Sequence, residues 1–408
     1  MVARTANSAI NDGPKDRIVV IAPKNTRTAV VPKDSISSSS IAWSTTTPGP
    51  QIIVGRKWMV QVTCTVTPKA SAANPPVAVV FTAGADAPSQ DPLNAIIANA
   101  QISINGSSVD QARLNEVMPV IHSRMSPSAR RALSTSPMAP DKCTAFSDLW
   151  ASNTSPFAAQ GSSTEESRAQ FPFVAAAGGG RTYTFTAPLR VSPLVDYDGA
   201  EGMTNISNIA VNLRLGNLSR IWSHDQVNGD AGWNGVDVTI GDASLFLEYS
   251  TPDSSQLAAM PMVQQLSYDH HAVFPASGPT LAAGASATVL TSALSLNALP
   301  KTLHLFAHRT DASRTELMTS TLGRIDKISI TLKNQSTQVS DKPAVAIFEM
   351  SRASGSRLGP TSRHFREGWR ASTWQLPLGA KDRPLTSMAA PSRFRLRLPI
   401  PISPLFQW

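Results

Sequence analysis

One pattern restricts the fold of this chain more than any other: the same strand text occurs twice, about 119 residues apart. In "NISNIAVNLRLGNLS", Ile209, Val211, Leu213 and Leu215 alternate with Ala210, Asn212, Arg214 and Gly216. In "GRIDKISITLKNQS", Ile328, Ile330 and Leu332 stand at the same spacing. Successive side chains of a strand face opposite sides, so each stretch reads as a half-buried β-strand. Each also follows an earlier strand, "TYTFTAPLR" (182–190) or "TLHLFAHR" (302–309), and a polar loop that carries Gly202 or Gly323. Strand, loop and strand recurring in step predict two β-domains of one type in tandem, with Val211 and Ile330 in corresponding core strands.

The rest of the chain agrees with a β-rich body. "KWMVQVTCTVTP" (57–68) sets Trp58, Val60, Val62, Cys64 and Val66 on one face. "AQISINGSSV" (100–109) contains Asn105-Gly106, a tight-turn signal because both residues tolerate positive φ. One helix is expected after it, from Leu114, Val117, Met118 and Ile121 at helical spacing, with Asp110 as its cap. Residues 123–180 are rich in Ser, Ala and Pro and read as long loops, with a short helix near 146–150 and a flexible "AAGGGR" (176–181). The 31 prolines and 23 glycines, scattered without period, suit many short strands joined by turns. The predicted class is all-β: two tandem antiparallel jelly-roll sandwiches with long loops and one or two short helices. The predicted organisation is an N-terminal arm over 1–40, a first domain over 41–250, a second, incomplete one over 262–350, and a C-terminal tail over 351–408. "RIVVIAP" (17–23) reads as a short strand within the arm.

"LPKTLHLFAHRTDASRT" followed by "GRIDKISITLKNQS" resembles the second jelly roll of the double-jelly-roll major capsid proteins, the adenovirus hexon-like viral lineage. "IIVGRKWMVQVTCTV", with Arg56 after its short apolar run, resembles the strand entry of the first. The resemblance spans about residues 36–350. It implies a virion structural protein assembled inside the host cell, forming homotrimers whose six jelly rolls make a pseudo-hexagonal tile of an icosahedral shell. It also implies no catalytic residues and no cofactor. Two other readings fit the residues: a single-jelly-roll coat protein with a projecting β-domain and a genome-binding arm, and a β-sandwich ligand-binding module.

The net charge of +8 is localised. Residues 351–408 hold ten of the 36 Lys/Arg and two of the 28 Asp/Glu, which leaves 26 of each in 1–350. The body is neutral and the tail basic. The alternation stops at Ser351, and prolines are unsuited to central strands, so the stretch reads either as a native basic arm or as the product of a shifted reading frame. Arg352, Arg357, Arg363, Arg366 and Arg370, interleaved with Phe365, Trp369 and Trp374, and then Arg393, Arg395 and Arg397, are candidate nucleic-acid contacts, able to neutralise phosphates beside rings that stack on bases.

No constellation suggests an enzyme. His270 and His271 are adjacent and would face opposite sides of a strand. His304 and His308 would share a face but stand about 13 Å apart, too far to ligate one metal. His224–Asp225 has no nucleophile elbow near it. Cys64 and Cys143 make neither a disulfide framework nor a zinc site. No apolar run reaches the length of a membrane span, and the N-terminus lacks a signal-peptide core. The partners expected are further copies of the chain, other virion proteins, and nucleic acid at the tail.

Overall fold

The computed structural model describes residues 26–49, 51–72, 77–81, 86–89, 91–117, 171–189, 191, 194, 202–224, 232–251, 271–276, 278 and 346, together with nine strands between 286 and 401. The first unit is a sandwich of two antiparallel sheets. One runs Thr26–Pro32, Val236–Ser250, Met59–Pro68 and Arg181–Pro188, extended by the short strands Ile53–Gly55, Gly202–Met203 and Val174–Ala175. The other runs Ser40–Thr46, Asn208–Leu215, Ile97–Ile104 and Ser107–Ala112, with Ser35–Ile36 at its edge. Taking these eight long strands in chain order, the sheets read 1-8-3-6 and 2-7-4-5. That order defines a jelly roll.

The alternation seen in the sequence sets the faces. Val60, Val62, Cys64 and Val66 are buried, as are Tyr183, Phe185 and Ala187 on the next strand and Leu245 and Leu247 on the other side. From the facing sheet come Ile41, Trp43, Ile102, Ile209, Val211 and Leu213. Each fully buried Val, Leu or Ile contributes about 1.5–3 kcal/mol of transfer free energy. The outer face of the first sheet is laced by hydroxyls across strands, with Thr65 Oγ1 2.8 Å from Thr182 Oγ1 and Thr63 Oγ1 3.2 Å from Thr184 Oγ1.

The Asn105-Gly106 turn forms as expected, with φ of 50° and 80°. Asn105 does more than turn. Its Oδ1 accepts from Ser207 N (2.7 Å) and Ser207 Oγ (2.9 Å), and its Nδ2 donates to the Asn205 carbonyl (2.7 Å). The helix expected from Asp110 starts later. Asp110 pairs with Gln101 inside the Ser107–Ala112 strand, and helical backbone begins only at Leu114, after Arg113 at φ 53°. The hairpin ladder claims Asp110 before it can cap anything. A short helix, Pro92–Ile96, was not anticipated. "AAGGGR" is a defined turn between Val174–Ala175 and Arg181–Pro188. A Cβ at Gly180 would lie 2.8 Å from Thr67 Oγ1 and 3.1 Å from the Val66 carbonyl oxygen, so this position needs glycine for close approach. Residues 17–23, the candidate helix near 146–150 and most of 123–180 lie outside the described residues.

In the second unit the main sheet runs Ser286–Leu290, Ser392–Pro401, Lys327–Leu332 and Val339–Pro343, and Leu294–Leu296 also pairs with Ser392–Pro401. Thr302–Leu305 pairs with Trp374–Pro377, and Ala307–His308 with Leu322–Gly323. The main sheet shares the connectivity of the first unit's 2-7-4-5 sheet: an early strand, then a late one, then two consecutive ones. This corrects the expected correspondence between Val211 and Ile330. By sheet position, Lys327–Leu332 answers to Ile97–Ile104, and the counterpart of Asn208–Leu215 is Ser392–Pro401. Alternating Ile, Val and Leu mark any half-buried strand, so matching text did not identify which strand was matched.

The stretches read as arm and tail also take part in these sheets. Thr26–Pro32 lies against Val236–Ser250, and the stretch after Ser351 supplies Trp374–Pro377 and Ser392–Pro401. The expectation that proline excludes this stretch from an inner position fails for a local reason. Of this strand Lys327–Leu332 pairs with residues 394–397, whereas Pro399 and Pro401 lie beyond, opposite Thr288 and Ser286, where among the described residues the strand has a neighbour on one side alone.

Candidate functional site

The candidate nucleic-acid contacts divide into two groups. Arg352, Arg357, Arg363, Arg366 and Arg370 lie outside the described residues. Arg393, Arg395 and Arg397 sit at alternate positions of the Ser392–Pro401 strand, in register with Ser295, Thr331 and Ser329 respectively. Alternate residues share one face of a strand, so these three belong to one face of the second unit's sheet.

The most polar buried site was not legible in the sequence. Asp86 and His224, 138 positions apart, are brought together by a two-stranded ribbon of Asp86–Pro88 and Trp222–His224. Asp86 Oδ1 accepts from Trp222 Nε1 at 2.9 Å and lies 2.9 Å from His224 Nδ1. All three residues are buried. The His224 ring stacks on Trp233 with centroids 3.9 Å apart and planes 3° apart, and Phe81 packs on Trp222 at 4.5 Å. Asp225, the sequence neighbour of His224, lies outside the described residues, and the carboxylate partner of His224 is Asp86 from the other strand of the ribbon. No hydroxyl reaches its Nε2 among the described residues. Among the described residues the group therefore lacks the nucleophile of a hydrolytic triad. What it does is tie the loop after Met59–Pro68 to the loop after Asn208–Leu215.

The titration of the core follows from burial. Cys64, a free thiol among the described residues, is pushed up to about 12 because burial penalises the thiolate, which makes it unreactive. Burial likewise raises the Tyr183 phenol to about 12, against a lowering contribution from Arg181, and raises Tyr249. On the surface, Asp242 is held below the ordinary carboxylate range, first by its hydrogen bond from Lys33. Of these groups Tyr249 lines a cleft, together with Arg27, Asp34, Ser44 and Thr45, and no cluster of three or more His, Cys, Asp or Glu suited to a metal occurs among the described residues. His271, the described member of the His270–His271 pair, is engaged through its backbone, with its carbonyl accepting from Gln111 Nε2 at 3.0 Å. No helix among the described residues is long and apolar enough to cross a membrane.

Comparison with known proteins bears on the two units in turn. Residues 15–176 match the family model described as the Sputnik virophage major capsid protein first domain, and residues 272–366 match the major capsid protein V20 C-terminal domain. The putative capsid protein V20 of Sputnik virophage is 23% identical over 176 residues, which is 40% of this chain and 29% of that relative's length. Among solved structures, that of the Sputnik virophage by cryo-EM is similar over 100% of this chain and 88% of its own, with a TM-score of 0.77 and 18% identity. The mavirus major capsid protein is similar over 97% of this chain and 86% of its own, with a TM-score of 0.65 and 13% identity.

Proposed function

We propose that this chain, a double-jelly-roll major capsid protein with domains of the virophage type, builds a virus shell by associating with itself as a trimer. The observation that carries the reading is the second unit's main sheet, which shares the connectivity of the first unit's 2-7-4-5 sheet. One chain that holds two jelly rolls gives a trimer six, and six similar sandwiches around a threefold axis make a near-hexagonal tile. A projecting domain of a different fold, as the single-roll alternative requires, does not agree with that sheet order. The relatives are structural proteins rather than enzymes, and this reading assigns the chain no reaction and no cofactor. Within the same reading the division into two rolls falls near residues 251–262, and the second extends to at least residue 401.

Nucleic-acid contact belongs to the reading as a secondary role. Arg352, Arg357, Arg363, Arg366 and Arg370 are its leading candidates, because Arg393, Arg395 and Arg397 are drawn into a sheet. Light scattering coupled to size exclusion tests the main reading: a particle of three chain masses, assembling further into shells visible by electron microscopy, is expected. A chain that stays monomeric at every concentration and salt overturns it. In a salt series, binding of single-stranded DNA or RNA should fall steeply if these arginines neutralise phosphates, and changing the five to Gln should flatten that dependence.

A further inference from the structure

The strand Ser107–Ala112 closes one side of the first unit's smaller sheet, and among the described residues it pairs with Ile97–Ile104 alone. Gln111 is the one buried residue of that strand, 4% exposed. A buried amide needs a partner for each of its polar functions. Its Nε2 donates to the Ala112 carbonyl at 2.9 Å and to the His271 carbonyl at 3.0 Å, and its Oε1 accepts from His271 N at 3.4 Å. Both hydrogens on Nε2 and the carbonyl oxygen are therefore used. The side chain takes the N–H and the C=O of a single residue, the exchange that a neighbouring strand makes in an antiparallel ladder. Exchanging the amide nitrogen and oxygen would set an acceptor against two carbonyls, so the contacts fix which way the amide points.

His271 stands 160 positions from Gln111 and opens the short piece 271–276. Two residues beyond that piece comes Gly278, where a Cβ would lie 3.1 Å from Val289 Cγ2, on the Ser286–Leu290 strand of the second unit. One short run of chain is thus held by the first unit at its start and lies against the second unit at its end. The distance along the chain is what matters. From Ser250, the last residue of the first unit's long strand, to Gly278 there are 28 residues, and from His271 there are seven. A fully extended chain of those lengths reaches at most about 100 Å and about 25 Å respectively. Effective concentration falls roughly as the −3/2 power of tether length, so pinning His271 raises that of one unit at the other about eightfold.

We infer that Gln111 is a latch between the two units: its amide pins the backbone of residue 271 to the first unit and so sets the second unit against it on a seven-residue tether. The inference rests on the division into two rolls and is independent of self-association. The chemistry is specific to glutamine. Asparagine is one methylene shorter, and a glutamate carboxylate would face the His271 and Ala112 carbonyls with no hydrogen to give.

The test uses the full chain, its Gln111→Ala and His271→Pro variants, and Ser108→Ala as a control at an exposed position of the same strand. His271→Pro removes the N–H that Gln111 accepts and leaves every residue of the first unit in place. Hydrogen exchange, read by mass spectrometry across a urea series, follows three stretches: 271–276, Met59–Pro68 and Ser286–Leu290. In both latch variants 271–276 should exchange at least tenfold faster than in the parent, and Ser286–Leu290 should lose protection at lower urea, with Met59–Pro68 unchanged. The control should match the parent. If Gln111→Ala also strips protection from Met59–Pro68, its fold is lost and His271→Pro alone decides. Exchange of 271–276 at the parent's rate overturns the latch. So does a freed 271–276 with the urea dependence of Ser286–Leu290 unchanged, because the tie would then couple nothing. A control that frees 271–276 as much as Gln111→Ala overturns it as well, since the edge strand rather than the amide would be holding residue 271.

Discussion

At the scale of single residues, the Asp86 carboxylate holds the most consequential position outside the apolar core. Two donors from the Trp222–His224 strand converge on one oxygen in a buried setting. Removing the carboxylate takes from those buried donors the oxygen they share, and a buried group stripped of its partner costs far more than the bond contributed on balance. Asp86→Ala should therefore lower stability by about 2–5 kcal/mol, seen as an earlier urea midpoint in tryptophan fluorescence. Asp242→Ala, which removes an exposed partner of Lys33, should leave that midpoint almost unchanged. Equal shifts in the two variants would mean that Asp86 is no tie. Nothing local in "ADAPSQ" or "IWSHDQ" announced this pairing, because it depends on which loops the sheet order places side by side.

At the scale of elements, the strands with one wet face were legible and those with unusual neighbours were not. Met59–Pro68 alternates without a break because it lies between two partners, with one face on the core and the other on a row of threonines. Val62→Ala removes two methyl groups from a position 1% exposed. It should cost about 1–3 kcal/mol through lost burial and the cavity left behind. Thr63→Ala on the outer face should shift the thermal midpoint much less, and equal shifts would argue against the face assignment. The same pattern misled where it was shared: Lys327–Leu332 and Asn208–Leu215 look alike in text yet occupy different places in their sheets. The prediction of a cap at Asp110 failed because a hairpin, formed between neighbours a few residues apart, takes Asp110 into its ladder, and the helix begins only at Leu114. The Ser392–Pro401 strand was hidden by its prolines, whose harmlessness depends on how far the adjacent strand extends.

At the scale of the whole molecule, the second unit depends on the stretch that composition sets apart. Ser392–Pro401 joins Ser286–Leu290 and Leu294–Leu296 on one side to Lys327–Leu332 on the other. A chain ending at residue 391 loses the strand that connects them. The expected outcome is a first unit that resists limited proteolysis, a second unit that is digested, and no trimer by light scattering. A truncated chain that trimerises as well as the full one would mean that residues 392–401 are dispensable to the sheet. The overall class and the strand-rich body were legible because they rest on periodicity and turn chemistry, which are local, whereas the tandem arrangement was inferred from two strands that hold different places in their sheets. The chain pairings that complete each roll were not legible, since they span up to 224 residues, as between Thr26 and Ser250.

The position of that late strand bears on when a subunit becomes usable. During synthesis, residues 392–401 leave the ribosome after every strand they pair with. Until then Ser286–Leu290 and Lys327–Leu332 have an empty lane between them. A polypeptide released early by a nonsense codon or a stalled ribosome would carry a finished first roll beside an unfinished second, and proteases act on such open segments. Completion of the second unit's sheet thus requires a chain translated through residue 401.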